Sequence, residues 1–127
     1  MEFTIKGSTY HPNSQEGLKK ARHHSDKDQI SIIFECEPTN VVDCNAIKVV
    51  CNILNERFIV GYIPKENIEQ MTYCIDKELL VVAKLSAVVR KFAPPIKKYI
   101  YLGHLFVQLS GPCGSTNDKY VYNQIIK

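Results

Sequence analysis

The chain is 127 residues long, 45% hydrophobic and 23% charged, with a formal net charge of +3. Its length leaves little room for a second core, and its composition excludes the disordered, collagenous and low-complexity classes. The surplus charge is too small to demand a polyanionic partner, although it agrees with one.

Residues 3–6 alternate, with Phe3 and Ile5 on one face and Thr4 and Lys6 on the other, which predicts a half-buried strand ending at Gly7. Residues 14–24 are polar. Around Gly17 and the single Leu18 they offer at most a short, weakly apolar helix, expected on the surface. Asp26, Lys27 and Asp28 signal a turn. Residues 29–35 read as a strong strand, with Ile30, Ile32 and Phe34 opposing Ile33, and a polar stretch with Pro38, Asn40, Asp43 and Asn45 follows it. Residues 46–51 are the next strand. Residues 52–56 close a hairpin into 57–62, where Phe58 and Val60 alternate with Ile59 and Gly61 ends or bulges the strand.

Pro64 pre-sets the first turn of a helix over about 65–75, in which Ile68, Met71, Thr72 and Ile75 recur at helical spacing. Residues 79–89 are apolar and β-branched and predict a long strand. Residues 105–109 and 120–126 supply two more, joined by a turn at 111–115. Tyr99, Tyr101, Tyr120 and Tyr122 alternate along the tail as packing positions of half-buried strands do. The sum is a single, mainly β domain over residues 1–127, with about six strands and one or two helices. So many short strands around one buried helix predict a small closed or nearly closed β-barrel rather than a parallel α/β sheet.

No basic segment followed by an apolar run opens the chain, and the longest uncharged stretch, 99–111, is too short and too polar to span a bilayer. An intracellular setting without membrane contact is therefore expected. The five cysteines include no Cys-x-x-Cys pair. Cys36 and Cys44 with His23 and His24 are the one set that could be pressed into a zinc site, but small buried apolar residues are the preferred reading of most of the cysteines. No metal or other cofactor is expected. There is no Walker loop, no Gly-x-Ser-x-Gly and no His-Glu-x-x-His, and nothing pairs a nucleophile with a base, so the chain reads as a non-enzyme. Two basic clusters stand out. Lys19, Lys20 and Arg22 sit with His23 and His24, while Arg90, Lys91, Lys97 and Lys98 flank Pro94 and Pro95. Each cluster either tracks a phosphate backbone or is a solvated loop.

The most informative segment runs Glu37-Pro38-Thr39-Asn40-Val41-Val42-Asp43-Cys44-Asn45-Ala46-Ile47-Lys48-Val49, followed about a dozen residues later by Val60-Gly61-Tyr62-Ile63-Pro64-Lys65-Glu66. Pro38, Asn40 and Asp43 build a turn between two strands, and Asn45 stands where its amide can fix the loop's exit. Asp43, in mid-loop, carries a carboxylate placed to accept a hydroxyl from a ligand.

In order and spacing these segments resemble the core signature of HIRAN domains, with Ile5-Lys6-Gly7-Ser8-Thr9-Tyr10 matching the family's first strand and the Gly-x-x-Tyr that leaves it. The resemblance covers roughly residues 3–89 and leaves 97–127 as additional C-terminal strands. It implies an OB-like barrel and, as in a fork-remodelling member of the family, capture of the 3′-hydroxyl end of single-stranded DNA. Carried over by position, Asp43 receives the hydroxyl, Asn40 shapes the pocket, Tyr10 stacks on a base, Lys65 reaches a phosphate, and His11 and Tyr62 line the site. His11 replaces a second aromatic of that member, and three further positions depart from it: Val42 stands for tyrosine, Val41 for proline and Thr9 for arginine. They motivate the alternative, an adaptor that keeps the fold but binds a protein partner instead of DNA.

Overall fold

A computed structural model describes residues 1–9, 11, 13–24 and 29–110. In chain order the elements are β1 (Glu2–Thr4), α1 (Ser14–His23), β2 (Ile30–Cys36), β3 (Ile47–Ile53), β4 (Glu56–Tyr62), α2 (Ile68–Asp76), β5 (Leu80–Ala93) and β6 (Lys98–Leu109). The predicted strand at 120–126, the turns at 26–28 and 111–115, and Tyr10 lie outside the described residues.

The strands form two three-stranded antiparallel sheets, β2-β3-β4 and β1-β6-β5. The first is built from consecutive hairpins. Its β3–β4 turn holds Leu54 and Asn55 at φ of 50° and 66°, the left-handed pair that a two-residue hairpin turn requires. The second sheet is non-local, since Phe3 pairs with Leu105 on β6. Of the tail segment set apart by the sequence reading, Lys98–Leu109 is thus this sheet's central strand.

The barrel expectation is corrected by this topology: the protein is a mixed α/β fold whose sheets do not close. They meet at one corner, where Lys6 and Tyr62 exchange both backbone hydrogen bonds, N to O at 2.9 and 2.7 Å. At the other corner β2 lies beside β5, but no backbone ladder joins them among the described residues. Alternation reports which face of a strand is buried. It carries no information on whether the last two edges pair, and β5 is displaced by register shifts at Leu80/Val82 and Leu85/Ala87.

The core lies between the sheets and gathers Ile5, Ile47, Val49, Val60, Leu105 and Val107, all essentially without solvent contact. From α2 it takes Met71, as the helical spacing predicts, and Cys74, which that spacing left out, while Ile68 and Ile75 pack against it half-buried. The helix itself begins at Ile68, after a single 3-10 turn at Lys65–Asn67.

A second correction concerns α1. It is no surface helix: Ser14, Gly17, Leu18 and Ala21 are buried, and Leu18 belongs to the core. The reason is side-chain size. A Cβ added at Gly17 would lie 2.5 Å from Phe58 Cβ, and one added at Gly103 would lie 3.0 Å from Leu18 Cδ2, so the helix backbone rides directly on β4 and β6. A stripe of small residues has little hydrophobic weight in sequence, yet it permits the closest approach.

Candidate functional site

The polar loop between β2 and β3 and the β4-to-α2 connection face each other across a cavity of about 1020 Å³. Its walls include Lys6, Asn40, Asp43, Tyr62 and Lys65, and α2 closes one side with Ile68, Glu69 and Thr72. Four of the six predicted site residues, Asn40, Asp43, Tyr62 and Lys65, therefore converge from two separate segments. His11 joins them through its ring, whose Nε2 lies 2.9 Å from the Tyr62 hydroxyl with the ring centroids 5.8 Å apart. A smaller hollow of about 480 Å³ by the β3–β4 turn is lined by none of the predicted residues.

The loop is built from its own side chains. Asn40 Oδ1 accepts the backbone N–H groups of Val42 and Asp43 at 2.9 and 3.0 Å, while its amide nitrogen donates to Glu37 Oε1 at 2.7 Å. Asp43 Oδ1 then accepts the Asn45 N–H at 2.8 Å, and the Ala46 N–H closes on the Asp43 carbonyl at 3.0 Å. These are the local side-chain-to-backbone bonds that favour turns over strand ladders. One carboxylate oxygen of Asp43 is committed to the loop, and the other has no hydrogen-bond partner among the described residues. The carboxylate is held in place with one acceptor left over.

Glu37 is the residue that the sequence reading missed. It accepts from Asn40, from the Tyr62 hydroxyl at 3.1 Å, and through Oε2 it lies 3.4 Å from Lys48 Nζ. The Asn40 amide above all, then Tyr62 and Lys48, holds its carboxyl below the usual carboxylate range against the raising effect of desolvation. Desolvation first, then the neighbouring Glu37, pushes the Tyr62 phenol up. With Tyr62 donating to Glu37, its oxygen is left to accept a hydrogen bond from His11 Nε2–H, so the chain of bonds runs His11 to Tyr62 to Glu37. Lys6 was also missed as a cavity residue. It reaches the cavity only because its backbone is bridged to Tyr62 across the sheet corner.

Two cations, Lys6 and Lys65, thus share a rim with two carboxylates, the half-used Asp43 and Glu69 of α2, and with apolar Ile63 and Ile68. Such a surface suits a ligand with a hydroxyl, a nearby anionic group and an apolar face. The loop tip adds Val41 and Val42, which are 100% and 92% exposed, and Val42 also lines the cavity. Among the described residues no three His, Cys, Asp or Glu side chains gather as a metal site would require. Nor is any described helix long and apolar enough to cross a membrane.

The expectation that most cysteines are buried divides evenly over the four described. Cys36 and Cys44 are exposed on the cavity, whereas Cys51 and Cys74 are buried. Burial pushes the Cys51 thiol up to about 12 and raises Cys74 as well, which leaves almost no thiolate at neutral pH. Brief treatment of the native protein with iodoacetamide is expected to label Cys36 and Cys44 and to spare Cys51 and Cys74. Peptide mass mapping reads the result, and labelling of Cys51 at the rate of Cys36 would contradict its place in the core.

No known family model, curated protein or solved structure matches this chain.

Proposed function

We propose that the chain is a non-catalytic binding module of HIRAN type that takes the 3′-hydroxyl end of a single-stranded nucleic acid in the cavity between the β2–β3 loop and α2. The observation that carries this reading is the convergence of Asn40, Asp43, Tyr62 and Lys65 on one cavity, with His11 fastened to Tyr62. In this reading the unpartnered oxygen of Asp43 accepts the terminal hydroxyl, and Lys65 and Lys6 meet the phosphates next to it. The ring of His11 or Tyr62 stands beside the terminal base, a sequence-tolerant contact. The proposal rests on these residues and on the order of their motifs, not on a barrel.

The test compares two labelled oligonucleotides by fluorescence anisotropy at low salt, one ending in a 3′-hydroxyl and the other in a 3′-phosphate. A hydrogen bond to a charged group is worth about 1.5–3 kcal/mol, so the phosphorylated end is expected to bind at least about tenfold more weakly. Asp43→Asn keeps an oxygen for the Asn45 N–H and so preserves the loop, but removes the charge. It is expected to erase the preference between the two ends. Equal binding of both ends by the unaltered protein would refute the end-capture reading.

One observation favours a second reading, in which the cavity rim docks a protein partner. Val41 and Val42 are branched apolar side chains held almost fully in solvent. Under that reading neither oligonucleotide binds.

A further inference from the structure

The β5–β6 hairpin has a character of its own. It carries Lys84, Arg90, Lys91, Lys97 and Lys98, and no aspartate or glutamate occurs anywhere between Leu79 and Ser110. With five of the sixteen basic residues and none of the thirteen acidic ones, the hairpin holds +5. The rest of the chain, eleven basic against thirteen acidic, holds −2. The mild net charge of the whole conceals this separation.

Charge and shape coincide at the tip. Residues 89–99 are exposed on both faces apart from half-buried Ala93, turning through a 3-10 segment at Pro94–Ile96. Register places Arg90 opposite Tyr101 and Phe92 opposite Tyr99 on one face, and Lys91 opposite Ile100 and Ala93 opposite Lys98 on the other. On the first face Arg90 lies 4.1 Å over the Tyr99 ring, and Phe92 meets Tyr99 edge-on at 5.2 Å. None of the four tip cations pairs with a carboxylate among the described residues. At the base of the arm Arg22 of α1 lies 5.9 Å over Tyr101, the residue paired with Arg90. One member of the first basic cluster, far away in sequence, thus reaches the second.

We infer that this hairpin is an arm that enters the major groove of double-stranded DNA and grips the phosphates on both sides. The inference goes beyond the cavity reading and stands on a different observation. Cations over one surface would suit a single strand, but cations on both faces of a two-stranded ribbon suit a groove with a phosphate wall on each side. A ribbon whose strands are about 4.8 Å apart fits the B-form major groove, which is about 12 Å wide. The A-form major groove of duplex RNA is deep and too narrow for side chains to read. Ionic attraction to phosphates supplies the affinity, and the aromatic tip stiffens the arm by holding Arg90.

The experiment uses a labelled DNA duplex of about twenty base pairs whose 3′ ends are phosphorylated, so that hydroxyl capture contributes nothing. Four phosphate contacts predict that log K falls with log salt concentration with a slope of about −3 to −4. The variant Arg90→Gln, Lys91→Gln, Lys97→Gln, Lys98→Gln alters only exposed side chains. It is expected to lose at least about tenfold in affinity and to flatten the slope to between about −1 and zero. In the unaltered protein, duplex is expected to shield Lys91, Lys97 and Lys98 from acetylation, a readout that needs no variant. Asp43→Asn is expected to bind the blocked duplex as the unaltered protein does, so the arm and the cavity can fail separately. An unchanged slope in the fourfold variant overturns the inference, as does equal affinity for the matching RNA duplex. So does capture by vesicles containing about one-third phosphatidylserine in place of DNA, which would reassign the arm to an anionic lipid surface.

Discussion

Gly61→Ala is expected to lower folding stability by about 3 kcal/mol or more and to remove the proposed end capture at the cavity in the same step. Gly61 has a φ of +146°, which side chains rarely tolerate, and an added Cβ would lie 2.4 Å from both Ile5 Cγ2 and the Lys6 carbonyl oxygen. The second of these atoms is backbone and cannot swing aside. The strand would have to retreat from the Lys6–Tyr62 bridge, the one place among the described residues where the two sheets exchange backbone hydrogen bonds. Tyr62 would move with it, taking away the wall on which His11 rests and a donor that Glu37 accepts. The chain has no tryptophan, so far-UV circular dichroism in urea is the suitable stability readout. A midpoint within error of the unaltered protein would show that the corner is looser than this geometry demands.

Gly17→Ala is the second large effect, and its sign opposes helix propensity. In an exposed helix the change should stabilise by about 0.8–1 kcal/mol. Here the new methyl would fall 2.5 Å from Phe58 Cβ and 2.7 Å from Phe58 Cγ, on a ring that is itself buried and that Lys20 covers at 5.2 Å. Overpacking of this kind costs about 1–3 kcal/mol, and because α1 is wedged against both sheets a net loss of about 2 kcal/mol is expected. Glu16→Ala, one position earlier and facing solvent, supplies the control and should stay within about 0.5 kcal/mol. Thermal melting of the two variants side by side decides the matter; a stabilised Gly17→Ala protein would return α1 to the surface.

What the sequence disclosed and what it withheld divide along a physical line. Alternation located β2, β3, β4 and the heart of β5, and the spacing of Ile68, Met71 and Ile75 located α2, because each signal depends only on neighbours along the chain. The burial of α1 was illegible, since Gly17 and Ala21 contribute by being small, and smallness looks the same on a surface. Closure of the strands into a barrel was expected and does not occur, because edge pairing depends on elements distant in sequence. In the site, Asn40 and Asp43 announced themselves by local turn chemistry. Glu37 stands three residues before Asn40 in the same loop, but its second partner, Tyr62, lies twenty-five residues on. The value of that carboxylate as the post to which loop and strand are both tied emerges only after folding. Pro94 and Pro95 stood out only as the centre of a basic cluster, with no hairpin placed on them, and the strand Lys98–Leu109 begins well before the predicted residue 105.

The pairing of β1 with β6 sets an order of events during synthesis. β2, β3 and β4 find their partners within a few tens of residues, and such local ladders close quickly. Phe3, in contrast, has no partner until Leu105 has been made. At about 5–20 residues per second, β1 therefore leaves the ribosome roughly 5–20 seconds before the strand that covers it. During that interval Ile5 and the underside of α1 have only half a core to rest on. The β2–β3–β4 meander is the natural nucleus, and the second sheet is a late event whose loop-closure entropy is met by interactions already in place.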